Sequence, residues 1–455
     1  MITRLLIPIC LALGACASTA VQDTPTRAII ADSSLPPMKN FGSANPQRPN
    51  RSNTEIANDF LDLSFQLESG RDLPAFTRFE TPISVRVTGN APPSLGPDLA
   101  RLLSRLRNEA GINISKNQSA TAHITIEAVS RAEIRRALPQ AACFVVPNVT
   151  SLAEYRSKKR SPETNWALLQ ARRKMAIFLP YDASPQEIRD CLHEELAQAI
   201  GPLNDLYRLN DSVFNDDNIH TVLTGFDMLI LRTTYSRELQ NGMTREQVAA
   251  RLPAILSRTN PSGRGGGSAP SRPTTRDWVD AIQTALGPGT SRNGRQRAIN
   301  NAVKIAQNQG WQDNRLGFSH YVAGRLTQRS DAVRAFEHFV TADRVYARLP
   351  NSDLHRAYIA TQIAAYAISD GNGEVALRII DPNIPIASRY ENAAMLATLM
   401  LMRAEALDLL GRSEAARSAR VDSIGWARYG FGEDWAVRAK INEIAQINPQ
   451  NRKDG

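Results

Sequence analysis

The stretch Pro261-Ser-Gly-Arg-Gly-Gly-Gly-Ser-Ala-Pro270 divides the chain into two parts that follow different periodicities. Glycine and serine bury little and lose the most freedom on ordering, so residues 259–273 read as a linker between two folding regions. No Lys-Ser/Thr follows the glycines and no strand precedes them, which excludes a phosphate-cradling loop. Upstream, strands alternate with helices; downstream the pattern is helical throughout. At 455 residues and 42% hydrophobic, the chain can fill a core on each side of the linker.

Residues 52–258 mix two periods. Ile56, Phe60, Leu63 and Leu67 fall at helical spacing, as do Leu99, Leu102, Leu103 and Leu106. Ile83-Ser-Val-Arg-Val87 alternates as a strand, with further strands at His123 to Glu127, at Cys143 to Pro147 and at Lys174 to Leu179. Ser184, Pro185 and Glu187 supply the cap, the first-turn proline and the acid that start a helix. These elements predict an α+β region.

Nine helical runs are predicted between Arg276 and Ile447, followed by a polar tail over 448–455. Ala404-Glu-Ala-Leu-Asp-Leu-Leu-Gly-Arg-Ser-Glu-Ala-Ala416 is similar to the centre of a tetratricopeptide unit, with Leu and Gly closing one helix and a small residue opening the next. No 34-residue period runs through the region, so a stacked superhelix and an irregular bundle both stay open. Trp426, Tyr429, Phe431 and Trp435 are expected in its core.

At the start, Arg4 precedes the apolar run Leu5 to Leu13, far too short to span a bilayer permanently, so residues 1–15 read as an export signal. Leu13-Gly-Ala-Cys16 resembles the bacterial lipobox, which implies cleavage before Cys16 and lipidation of its thiol. The competing reading is an ordinary signal cut after Ala17 or Ala20. Lipidation would anchor the protein in the cell envelope, on the periplasmic face and by expectation in the outer membrane. Residues 16–51 are rich in Pro, Ser, Thr and Asn and read as a flexible tether.

The most informative stretch is Cys191-Leu-His-Glu-Glu-Leu-Ala-Gln-Ala-Ile-Gly-Pro-Leu-Asn-Asp205, followed by Ser212-Val-Phe-Asn-Asp-Asp217 and Leu223-Thr-Gly-Phe-Asp227. It resembles the H-E-x-x-H-x-x-G-x-x-H/D helix and the Met-turn of metzincin zinc proteases. With the glycine as anchor, the resemblance puts Glu194, Gln198 and Asn204 (with Asp205 beside it) at the metal-site positions, Glu195 at the base, Gly201 at the turn, and Phe214 where the Met-turn carries its thioether. The frame is kept and the zinc ligands are gone. His193 starts a competing register, but its second ligand would be Ala197, and at 100° per residue His193 points about 160° away from Glu195. The same motifs look like a family of uncharacterised proteobacterial envelope proteins, catalogued as a domain of unknown function, over roughly residues 50–255.

The expected architecture is thus an α+β zincin-like (metzincin-like) domain followed by an all-α helical-repeat domain. The signal and the lipid account for Cys10 and Cys16, leaving Cys143 and Cys191 as a candidate disulfide in an oxidising compartment, with two buried thiols as the alternative. His220 and the acids Asp216 and Asp217 are weaker candidates near any metal.

The resemblance implies a binding or scaffolding protein that has lost its metal and holds a peptide or protein partner in the cleft, with no cofactor expected. The alternative is a metallopeptidase with Glu195 as general base and an unorthodox ligand set, with zinc expected only then. Carboxylates converging in a cleft would favour the hydrolase, and a ring filling the cleft would count against it. A net charge of +9 suits anionic headgroups or cell-wall polymers, or is simply a solvated surface. No nucleic-acid-binding motif occurs, and no nucleic-acid partner is expected.

Overall fold

The computed structural model describes residues 35–42, 46–265 and 273–452. The export signal, Cys16, the first part of the tether and the glycine core of the linker lie outside the described residues.

The first region runs α1 (Asn53–Phe65), β1 (Ile83–Gly89), α2 (Leu95–Ala110), β2 (Ile114–Lys116), β3 (Ile124–Val129), α3 (Arg131–Ala137), β4 (Phe144–Pro147), α4 (Leu152–Lys158), β5 (Met175–Pro180), α5 (Pro185–Ile200), α6 (Gly225–Thr234), α7 (Arg245–Ala249) and α8 (Leu252–Thr259). The strands form one sheet in the order β2-β1-β3-β5-β4, parallel except for β4, which runs antiparallel to β5 at the edge. This is an α/β sheet rather than segregated helices and strands. β5 is buried at all six positions, as befits a strand covered on both faces.

Alternation sorts the side chains between two layers. Ile124, Ile126, Met175, Ile177 and Leu179 face the larger core with α1, α2, α5 and α6, while Ala176 and Phe178 pack with Ile134, Phe144 and Leu152 beneath α3 and α4.

Ser184 caps α5 by accepting from the Glu187 backbone N–H, with Pro185 in the first turn. The helix ends at Gly201. A Cβ there would meet Leu231 Cδ2 at 2.6 Å and the Ala197 carbonyl oxygen at 3.2 Å, so a glycine is what lets α6 lie this close.

The second region is α9 (Arg276–Leu286), α10 (Arg292–Asn308), α11 (Asn314–Thr327), α12 (Ala332–Tyr346), α13 (Asp353–Ser369), α14 (Gly373–Ile380), α15 (Ile384–Arg389), α16 (Ala393–Leu409), α17 (Ser413–Phe431) and α18 (Asp434–Ala445). Consecutive helices pack on each other, most closely α16 on α17. α16 is apolar around most of its circumference because α13, α14, α17 and α18 all cover it. No helix among the described residues is long and apolar enough to cross a membrane.

Further sequence expectations need correction. The tether over 16–51 ends early: residues 35–51 lie against the body where they are described. Phe41 stacks on Trp426 with centroids 4.5 Å apart, and Arg51 pairs with Asp59 and Asp211. Main-chain contacts add to these, with the Lys39 N–H donating to the Gly425 carbonyl and Arg101 and Arg428 donating to the Phe41 and Pro36 carbonyls, so a Pro-rich segment with no periodicity of its own is docked. The aromatic group also divides, since Tyr429 is fully buried while Trp435 is 74% exposed at the start of α18.

The linker does not hold two independent bodies apart, and the described residues form one compact unit. α5 lies at the junction, against β4, β5 and α2 on the sheet side and α17 on the helical side. Arg189, 1% exposed, donates to the Glu391 carbonyl at 2.8 Å, and Gln186 bonds Asn392 and the Ala394 N–H.

Candidate functional site

α5 separates two environments, and its side chains sort between them by angle alone. Gln186 and Arg189 face the helical region. His193 is buried, accepts at Nδ1 from the Leu223 N–H at 3.2 Å and borders a cavity with Arg101 and Arg105. Burial first, and then the charges of Arg105, Arg189 and Arg101, hold its pKa well below the ordinary value. His193 is thus a neutral structural residue.

Glu194, Glu195 and Gln198 open onto a different cavity of 560 Å³. Its walls are α5, the approach to β4 from Leu138 to Val145, Leu67 to Ser69 after α1, Trp166 and Asp216. Four carboxylate residues line it, Glu68, Glu194, Glu195 and Asp216, with no basic side chain among the lining residues.

The turn after Gly201 separates Asn204 from its neighbour. Asn204 Nδ2 donates to the Asp62 carbonyl at 3.0 Å, closing the chain onto the end of α1, so Asn204 takes no part in the cleft. Asp205 instead turns toward Gln198, whose Nε2 donates to Asp205 Oδ2 at 3.4 Å. Oxygen atoms of Glu68, Asp205 and Asp216 all lie within 4.8 Å of one another. Glu195, 5% exposed, leaves Oε2 without a hydrogen-bond partner, and Asp205, 9% exposed, does the same with Oδ1.

Crowded acids of one sign hold their protons. Burial and then the Asp216 charge push Glu68 up to about 7, although the residue sits at the exposed mouth. Burial, Glu68 and Asp216 push Glu194 up to about 8. Glu195 is raised well above the carboxylate range by burial, then by Glu194 and Glu68; Asp205 is raised likewise by burial, Glu68 and Asp216.

Cys143, just before β4, is joined to Cys191 of α5 by a disulfide, with Cα atoms 5.9 Å apart. The bond clamps the edge strand to the helix at the lip of the cleft. Phe214 is fully buried in the core that also holds Leu192 and Leu196, so its ring does not fill the cavity. His220 lies elsewhere, with Nε2 3.0 Å from the Asn210 carbonyl and its ring against His355 and Tyr390.

These residues do not suit zinc. Among the described residues the cleft offers no imidazole, its one cysteine is in the disulfide, and Asn204 is turned away. The oxygen-only set is that of a harder ion.

Sequence reasoning singled out Glu194, Glu195, Gln198 and Asp205 but missed Glu68, Trp166 and the Leu138–Val145 wall. Glu68 stands in a loop with no pattern around it, and only the return of the chain after α5 brings Asp205 to it.

No curated protein and no solved structure matches the chain. Residues 53–254, the whole α/β region from α1 into α8, carry a domain of the family described as Protein of unknown function (DUF2927).

Proposed function

We propose that this is a lipid-anchored protein of the bacterial cell envelope whose zincin-like cleft receives an extended peptide or protein segment, while the tetratricopeptide-like helical region docks a second partner. The observation that carries the reading is the edge strand. β4 ends the sheet, and the chain leading into it forms one wall of a 560 Å³ cleft. An edge strand beside a cleft is suited to take up an extended segment through main-chain hydrogen bonds.

The zincin-like part rests on the order of elements into α5, the turn at Gly201 and the buried Phe214. Export rests on the pattern from Met1 to Cys16, and a disulfide between Cys143 and Cys191 fits an oxidising compartment.

A second reading has observations of its own: carboxylates converge in the cleft and the Phe214 ring does not fill it, and both favour a hydrolase. Glu195 is buried, unpartnered and open to the cleft, the circumstance of a general base in a hydrolase.

The test is a peptide library presented to the purified full-length chain, read for both binding and cleavage. Ala142, exposed in the cleft wall, is the position to obstruct. Capture of extended peptides that is lost in Ala142→Trp and kept in Glu195→Gln supports binding. Cleavage abolished by Glu195→Gln establishes the hydrolase. Neither capture nor cleavage refutes both readings.

A further inference from the structure

We propose that Glu68, Asp205 and Asp216 form a site for a hard divalent cation, calcium foremost, at the mouth of the cleft. Three carboxylates from three separate loops, the end of α1, the turn after α5 and the segment before α6, place oxygen atoms within 4.8 Å of one another. Ligand oxygens on opposite sides of a calcium ion are about 4.6–5.2 Å apart, so three oxygens within this reach of one another can share one ion.

Convergence of acids alone would be only an acidic cluster. The independent observation is a buried oxygen without a partner. Glu195, 5% exposed on the wall of the cavity that Glu68 and Asp216 also line, leaves Oε2 without a hydrogen-bond partner, and Asp205 Oδ1 has only the neighbouring Glu68 carboxyl beside it. Buried carboxylate oxygens are expensive to leave unpaired, and nearly every other buried acid in the chain is paired. Asp59 meets Arg51 and Arg208, Asp227 accepts from Ser212 and two backbone N–H groups, and Asp98 meets Arg101 and Tyr429. The cleft is where that pairing stops.

Gln198, held at 3.4 Å from Asp205 Oδ2, adds an amide oxygen to the surroundings, and the cavity leaves room for a peptide carbonyl or carboxylate to complete the coordination shell. The ion would thereby make an acidic cleft compatible with the main-chain oxygens of a bound segment. That purpose rests on the peptide-binding reading, but the existence of the site does not.

The experiment is calorimetric titration of the chelator-treated full-length chain, without peptide, with calcium, magnesium, manganese and zinc in separate runs. Asp216→Asn and Glu68→Gln are the variants. Glu68 sits in an exposed loop, so its variant tests the site even if Asp216→Asn fails to fold. The expected result is one calcium per chain, at least about tenfold weaker in either variant, with a calcium-induced rise in Tm that both variants lose.

Three results would overturn the site. One is no saturable binding at about 10 mM, well above the range of extracellular calcium modules. The others are undiminished affinity in both variants, and stoichiometric zinc that is lost only on changing Glu194 or Gln198. Peptide capture then separates the two proposals. A chain that binds calcium but no peptide keeps the site and loses the peptide reading. A lysine-containing peptide held equally well with chelator, in a chain that takes up no calcium, replaces the cation with an ammonium group.

Discussion

Asp216 and Asp217 are adjacent in sequence and opposite in circumstance. Asp217 points into the junction with the helical region, where its carboxylate accepts from His355 Nε2 at 2.9 Å, Asn314 Nδ2 at 3.0 Å and Asn215 Nδ2 at 2.9 Å. Asp216 points into the cleft beside Glu68 and Asp205, and its pKa is raised, by burial first. One segment thus contributes one acid to each of two regions, a junction whose charges are satisfied and a cleft whose charges are not. Satisfied acids hold the fold together; crowded ones lower its stability unless something neutralises them, as the proposed cation would.

The largest expected effect would break the comparison on the junction side. Asp217→Ala takes an acceptor from four buried donors, those of His355, Asn314, Asn215 and the Ile219 N–H, and should cost about 3–5 kcal/mol in denaturant unfolding. A loss below about 1 kcal/mol would mean that the junction tolerates unpaired groups and is no different from the cleft.

The next concerns pH. Burial, with the His355 charge, lowers His220 from 6.5 to about 4, while Asp217 and Asp211 oppose the shift. A folded pKa below the unfolded one means that stability is fully present above about 6.5 and is lost as pH falls toward 4. The shift corresponds to roughly 3 kcal/mol. His220→Asn should flatten the stability profile across that window, and an unchanged slope would count against the assignment.

Third, Asp216→Asn should stabilise the chelator-treated chain by roughly 1 kcal/mol, because it relieves repulsion while the amide oxygen can still accept from the Tyr207 hydroxyl. Destabilisation would show that the cleft acids are structural after all. The smallest effect is the control: Asp343→Asn breaks an ion pair with Arg356 whose side chains are 36% and 48% exposed, and should shift unfolding by less than about 0.5 kcal/mol.

What was legible in the sequence follows the range of the interactions. The start of α5 was readable because Ser184, Pro185 and Glu187 act within one turn, and the helices after Arg276 were readable because their apolar positions repeat locally. The order of the parallel strands was not, since β1 pairs with β2 and β3 through contacts that no local pattern encodes. The angular argument placed His193 away from Glu195, and the structure puts them on different cavities. Spacing failed at Asn204 and Asp205, where the turn after Gly201 decides which of two neighbours comes up beside Gln198 and Glu68. Glu68 carried no signal at all, being one exposed acid in a loop until the fold sets it beside two others.

The disulfide gives the cleft a property of its own. Because Cys143 and Cys191 bind the strand side to the helix side, the two walls form a fixed jaw rather than a hinged one. Under the proposed peptide binding, the ligand and not the protein would then bear most of the ordering entropy on association. A segment already locked in extended form, by cyclisation or by proline, would hold more tightly than the same residues in a loose chain.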